Sequence, residues 1–228
     1  MVSWGDSIVL SSPVDDTLDT NSLWCLLARP KTINDMHGNN DAAQLVDEWF
    51  SSHLKTASTS SVLFVEGPCG SGKSLAVNLA AQSHGFRTIM AFASESRSMA
   101  RFDAHVRQAT AFQNFGVVVL DEFESFAEDH AGLDNVTRFI NTFSARPASS
   151  PRVLLVCISN EASDAFSRII DRSTFVQFDP LSISDTHGVL KHAHRECPTT
   201  VAPMDLYLFA SQVTGDARQA INQFQIAF

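Results

Sequence analysis

The stretch GPCGSGKS, residues 67–74, sets Gly67 and Gly72 around four residues and follows them with Lys73 and Ser74. Glycines let backbone N–H groups turn inward around phosphate oxygens, and a helix starting there adds its positive end. In such a cradle, built from Gly67, Pro68, Cys69, Gly70, Ser71 and Gly72, Lys73 reaches the β and γ phosphates and the Ser74 hydroxyl ligates magnesium. The pattern is short enough to arise by chance, so its neighbours decide.

Asp121 and Glu122 lie 48 and 49 residues beyond Lys73, at the end of the apolar run VVVLDE. Acidic residues at the C-terminal end of a buried parallel strand face the ligand-binding edge of the sheet. There Asp121 holds the magnesium shell, and Glu122 orients and deprotonates a water that attacks the γ phosphate. The glycine loop and the acidic pair together predict ATP hydrolysis. Asn160 ends another apolar run, VLLVCISN, and its amide positions the same water if that strand runs between the other two. Arg168 and Arg172 precede the last strand-like run and Arg218 opens the final helical stretch, a residue type suited to charge on a transferring phosphoryl group.

Elements must hold these residues, and the hydrophobic pattern supplies them. Ala42, Leu45, Val46, Trp49, Phe50 and Leu54 recur at helical spacing, with Asn40 or Asp41 able to cap the start. Apolar runs at 61–66, 87–93, 116–122, 152–160 and 174–178 alternate with helical stripes at 73–84, 99–109 and 133–143. That rhythm predicts an α/β fold, a five-stranded parallel sheet between helices. After DPLS (179–182) only helical patterns follow, at 183–195, 204–213 and from 216 onward. The expected division is a loose leader at 1–21, an ATPase core at 22–180 and a partial helical lid at 181–228.

The 228 residues suffice for one α/β domain with a small appendage. A formal net charge of −9 argues against a freestanding nucleic-acid binder that works by phosphate neutralisation alone. Four cysteines without C-x-x-C spacing and the absence of a signal peptide fit a reduced, intracellular, soluble setting, the nucleus if the source is eukaryotic. No apolar run is long enough to span a membrane. His192, His194 and Cys197 do not converge on one helical face, so zinc is not expected.

Taken in order, these residues resemble the AAA+ ATPases, and within them the clamp loaders of the replication factor C family. The resemblance runs over about residues 24–226: LLARPKTINDMHGN, the glycine loop, FASESRS, DEFE, Asn160, DRSTFVQFDPLS and TGDARQAINQFQ. It implies that Arg29, His37 and Gly38 line the adenine pocket and that Arg218 contacts the γ phosphate in its own site. It also implies that Arg172 reaches into a neighbouring subunit's ATP, and that Arg97, Arg101 and Arg107 face a DNA backbone.

The implied partners are other AAA+ subunits in a hetero-oligomeric ring, a sliding clamp and primer-template DNA. Two departures stand out. The finger box reads Asp-Arg-Ser where small subunits have Ser-Arg-Cys, whereas FASESRS leans toward the large subunit. The sequence also stops within the lid, before the family's collar domain. Another replication initiator or helicase-loading AAA+ ATPase, and an accessory subunit that binds nucleotide without hydrolysing it, are the alternative readings. A small-molecule kinase leaves the arginine boxes and helical lid unexplained.

Overall fold

Five runs rich in Val, Leu, Ile and Phe become five parallel strands in the computed structural model, which describes residues 23–55, 60–92, 99–111, 116–126, 129–144, 153–161, 163–197, 206–213 and 215–227. They are β1 (Val62–Glu66), β2 (Arg87–Phe92), β3 (Gly116–Asp121), β4 (Val153–Ser159) and β5 (Thr174–Gln177), in the spatial order β2-β3-β4-β1-β5. The expected five-stranded parallel sheet is therefore present. Register sets Glu66 beside Ser159 and Gln177, so β1, β4 and β5 end at one level and their loops leave together.

Apart from α1 (Trp24–Leu27), which packs with the helices after the sheet, α2 (Asn40–Lys55), α3 (Lys73–Ser83), α4 (Met99–Thr110), α5 (His130–Ser144) and α6 (Ser167–Ile170) accompany the sheet in chain order. Side chains alternate between the two faces of each strand. Leu63, Val65, Val117, Val119, Leu154, Val156 and Ile158 share one buried cluster with α2 and α3. Their neighbours Val62, Phe64, Val118, Leu120, Val153, Leu155 and Cys157 share the other with α4, α5 and α6. The phenylalanine richness of the sequence is concentrated on this second face. There the Phe123 ring lies 5.5, 5.1 and 5.1 Å from those of Phe64, Phe126 and Phe166. Edge-to-face contacts of this kind add to the burial energy of each ring.

Two details of α2 differ from the sequence expectation. Leu45 and Leu54 are 52% and 47% exposed, so the buried stripe is Ala42, Ala43, Val46, Trp49 and Phe50. The helix also starts at Asn40, one or two residues earlier than a cap at Asn40 or Asp41 implied, with Asn39 O accepting from Ala43 N at 2.9 Å.

Past β5 the chain turns helical as expected, in α7 (Ile183–Glu196), α8 (Leu206–Gln212) and α9 (Ala217–Ala227). A reciprocal cap starts α7: Asp185 N donates to Ser182 Oγ and Ser182 N to Asp185 Oδ2, both at 3.1 Å. These helices have their own apolar cluster, Leu190, Ala193, Cys197, Ala210, Ala220, Ile221 and Phe224, and Trp24 and Ala28 of the N-terminal segment belong to it. Trp24 meets Phe224 edge-on at 5.5 Å, and its backbone N–H donates to Gln225 Oε1 at 2.9 Å.

Candidate nucleotide site

Gly67, Gly70 and Gly72 have φ of 149°, 69° and 101°, a sequence of left-handed turns that side-chain-bearing residues rarely adopt. The loop they shape leaves the C-terminal end of β1 and runs straight into α3. Lys73, 6% exposed, folds back across it: its Nζ donates to Gly67 O at 2.6 Å, Pro68 O at 2.8 Å and Asn160 Oδ1 at 3.0 Å. Three N–H donors meet three acceptors. Burial holds the ammonium below its ordinary pKa, while Cys69, Asp121, Glu124 and Asp216 act in the opposite direction. The cation is thus desolvated and ready for anionic oxygens.

Ser74 Oγ donates to Asp121 Oδ2 at 3.0 Å, joining the first turn of α3 to the end of β3. A hydroxyl and a carboxylate at this separation are the hard oxygen donors that magnesium takes from a protein when phosphates supply the rest. Glu122 is exposed, with φ of 56°, and its N–H donates to Asp121 Oδ1 at 3.0 Å. A left-handed backbone at a glutamate is a local strain of the kind concentrated at functional sites. The condition set for Asn160 is met, because β4 lies between β1 and β3.

Glu124 enters the site only through the fold. Its Oε2 accepts from Asn160 N at 3.1 Å and Ser159 Oγ at 3.3 Å, while Oε1 accepts from Asn160 Nδ2 at 2.6 Å. That grip turns the Asn160 carbonyl oxygen toward Lys73. The usable signal was the last acid of DEFE, which a one-turn 3-10 helix over Phe123–Phe126 folds back toward β4.

From the other side, α9 closes on the loop. Ala217 N donates to Gly70 O at 3.1 Å, and a Cβ at Gly70 would overlap the Asp216 carboxyl. Arg218 is exposed one residue further along. Gly38 packs on Leu181 and Asp185, and His37 packs on Gly188 of α7 with its ring 6.0 Å from that of His192. Burial, His192 and Arg195 hold His37 below the usual imidazole pKa, against the pull of Asp185 and Asp35. Arg29 is exposed in the segment after α1.

Arg172 is not part of this cluster. Its backbone oxygen accepts from Ser60 Oγ at 2.6 Å, and its side chain donates to Asn141 Oδ1 at 2.6 Å. Ser60 precedes β1 whereas the glycine loop follows it, which sets Arg172 a strand length, about 17 Å, away from the loop. Arg101 and Arg107 are exposed on α4, and Arg97 lies outside the described residues. Within the HAHREC stretch, Arg195 donates to His192 Nδ1 at 2.9 Å and the buried Cys197 thiol faces Trp24 O at 3.9 Å. Among the described residues no helix is long and apolar enough to cross a membrane.

The chain is similar to known proteins along most of its length. The replication factor C large subunit of Pyrococcus abyssi is 25% identical over 207 residues, which is 89% of this chain and 41% of that protein. Its counterpart in Aeropyrum pernix is 27% identical over 216 residues, or 89% of this chain and 42% of that one. The chain spans less than half the length of these relatives.

Among solved structures, the Aeropyrum pernix ORC2 protein in its ADPNP and ADP complexes aligns with a TM-score of 0.69 at 13% identity, over 82% of this chain and 61% of that one. The ORC1 protein of the same organism in complex with DNA aligns at 0.67 and 19%, over 91% and 63%. At those identities the likeness shows a shared fold. The profile of the ATPase family associated with various cellular activities matches residues 62–181, from the first residue of β1 to the crossing into α7. With more than half of its length matched and the loop, the acidic strand end and Asn160 gathered at one sheet edge, the chain belongs to the AAA family of ATPases.

Proposed function

We propose that this chain is the ATP-binding and ATP-hydrolysing part of a clamp-loader subunit, which works in a ring of AAA+ subunits to open a sliding clamp at primer-template DNA. The observation that carries the reading is the convergence of Lys73, Ser74, Asp121 and Asn160 at the ends of three adjacent strands, in a chain similar to replication factor C large subunits along 89% of its length.

Ser74 and Asp121 would hold a magnesium ion, which when bound supplies positive charge to the phosphoryl oxygens. Lys73 exchanges its backbone acceptors for the β and γ phosphates. Glu122 takes the proton of the attacking water, Asn160 steadied by Glu124 orients that water, and Arg218 answers the charge on the γ phosphate from the lid. Arg172, at the far end of its own sheet, acts on the ATP of an adjacent subunit. Arg29, His37 and Gly38 border the base, and Arg97, Arg101 and Arg107 are the candidate contacts to the DNA backbone. The proposed division remains an ATPase core through residue 180 and a helical lid from 181.

Purification of the tagged chain from its source, with partners identified by mass spectrometry, tests this. Recovery of other AAA+ subunits with a ring-shaped sliding clamp supports it. Recovery of origin-recognition or helicase proteins instead makes the chain an initiator ATPase. Hydrolysis in the recovered complex that Glu122→Gln leaves unchanged makes it a nucleotide-binding accessory.

A further inference from the structure

Asn39 and Glu122 are the two non-glycine residues with positive φ among those described. Asn39, at φ 53°, sits before α2, and its side-chain amide is fully used. Nδ2 donates to Ser71 O at 3.1 Å and to Asp179 O at 2.8 Å, and Oδ1 accepts from Asp179 N at 2.8 Å. The partners fix the amide orientation, since two are carbonyl oxygens and one is an N–H. Ser71 belongs to the glycine loop and is 2% exposed. Asp179 lies where the chain leaves β5 for the lid, two residues before Leu181, whose N–H donates to Gly215 O at 3.2 Å.

A second tie runs in parallel, from Gly70 O to Ala217 N at the start of α9. Consecutive loop residues are therefore fastened to both ends of the helical segment, Ser71 through Asn39 to its entrance and Gly70 directly to its last helix.

We propose that Asn39 is a positioning residue that couples occupancy of the glycine loop to the helical lid. The inference rests on the reading of the loop as a nucleotide site. A phosphate in the loop draws its backbone N–H groups inward and moves Ser71 O with them. The shared Nδ2 passes that displacement to Asp179, and Asp179 to Ser182, which caps α7. Asparagine suits the position on two grounds. It tolerates the left-handed backbone, and its amide offers a donor to two carbonyls and an acceptor to one N–H. Glycine keeps the backbone and loses the bridge. Aspartate keeps the acceptor for Asp179 N and turns an oxygen toward the two carbonyls.

Hydrogen exchange read by mass spectrometry on the full chain, with and without adenylyl imidodiphosphate and magnesium, tests the coupling. In the unmodified chain the analogue is expected to slow exchange in residues 67–76 and again in 179–190. In Asn39→Gly at saturating analogue the slowing at 67–76 is expected to persist while that at 179–190 falls at least tenfold. Asn39→Asp is expected to show the same loss, and covers the case in which the glycine variant does not fold. Lid protection equal to that of the unmodified chain in either folded variant overturns the coupling and leaves the nucleotide site standing. Analogue binding to the unmodified chain with protection confined to the loop does the same. No protection at either segment and no binding by calorimetry overturns the nucleotide reading and the coupling together.

Discussion

Lys73 concentrates the chemistry of the site in one ammonium whose three donors already have acceptors. Replacing hydrogen bonds to neutral oxygens with bonds to phosphate is favourable because both partners then carry charge. A charge-assisted hydrogen bond contributes about 1.5–3 kcal/mol, so Lys73→Ala is expected to weaken ATP binding about 10- to 150-fold, measured by calorimetric titration. Glu122→Gln removes the proton acceptor of the proposed mechanism and keeps the shape. In the assembled complex it is expected to lower hydrolysis by about 10²–10⁴ while affinity for the analogue stays nearly constant. Glu124→Ala releases Asn160 from two hydrogen bonds and is expected to reduce turnover about tenfold or more with little change in nucleotide affinity. Equal losses in binding and turnover would place Glu124 in scaffold support instead.

At the scale of elements, the contact between the glycine loop and α9 is steric as well as polar. Gly70 has φ of 69° and leaves no room for a Cβ beside Asp216, whose Oδ1 also accepts from Gln219 N at 2.9 Å to cap α9. Gly70→Ala is therefore expected to lower stability through backbone strain of about 1–2 kcal/mol and through displacement of the helix. Asp216→Ala alone loses the cap, at about 1 kcal/mol. Because the two residues touch, the double variant is expected to be more stable than the sum of the single losses by about 0.5 kcal/mol or more, read from denaturant unfolding. Strict additivity would mean that the loop and α9 do not bear on each other.

At the scale of the whole molecule, one contact between the segment before α2 and the helical segment, that of His37 with Gly188, titrates. His37 is held below its ordinary pKa, so the folded chain binds its proton less readily than the unfolded one does. Stability from this contact is present above pH 6.5 and is lost as pH falls below it. A melting temperature that drops between pH 7.5 and 5.5, with a shallower drop in His37→Gln, is the expected result. Burial pushes the Cys197 thiol up to about 11 and raises that of Cys157 as well, whereas Cys69 is exposed on the loop. Alkylation at pH 8 is expected to mark Cys69 in the folded chain and to reach Cys157 and Cys197 only after unfolding.

Much of this was legible in the sequence for physical reasons. The central strands β1, β3 and β4, buried on both faces, must be continuously apolar, and a phosphate loop must gather its glycines within one short stretch, so those strands and residues 67–74 announced themselves. Beyond the pairing of Ser74 with Asp121 and the placement of Asn160, local pattern could not supply which distant side chains meet. Glu124 is an ordinary acid until a 3-10 turn sets it against Asn160, and Asn39 is an unremarked helix start until β5 delivers Asp179 to its amide. The exposure of Leu45 and Leu54 has the same origin, since periodicity marks a stripe and only the neighbouring elements decide how wide a stripe is covered. Local pattern determined the elements and the loop; the packing of strands far apart in the chain decided which side chains meet there.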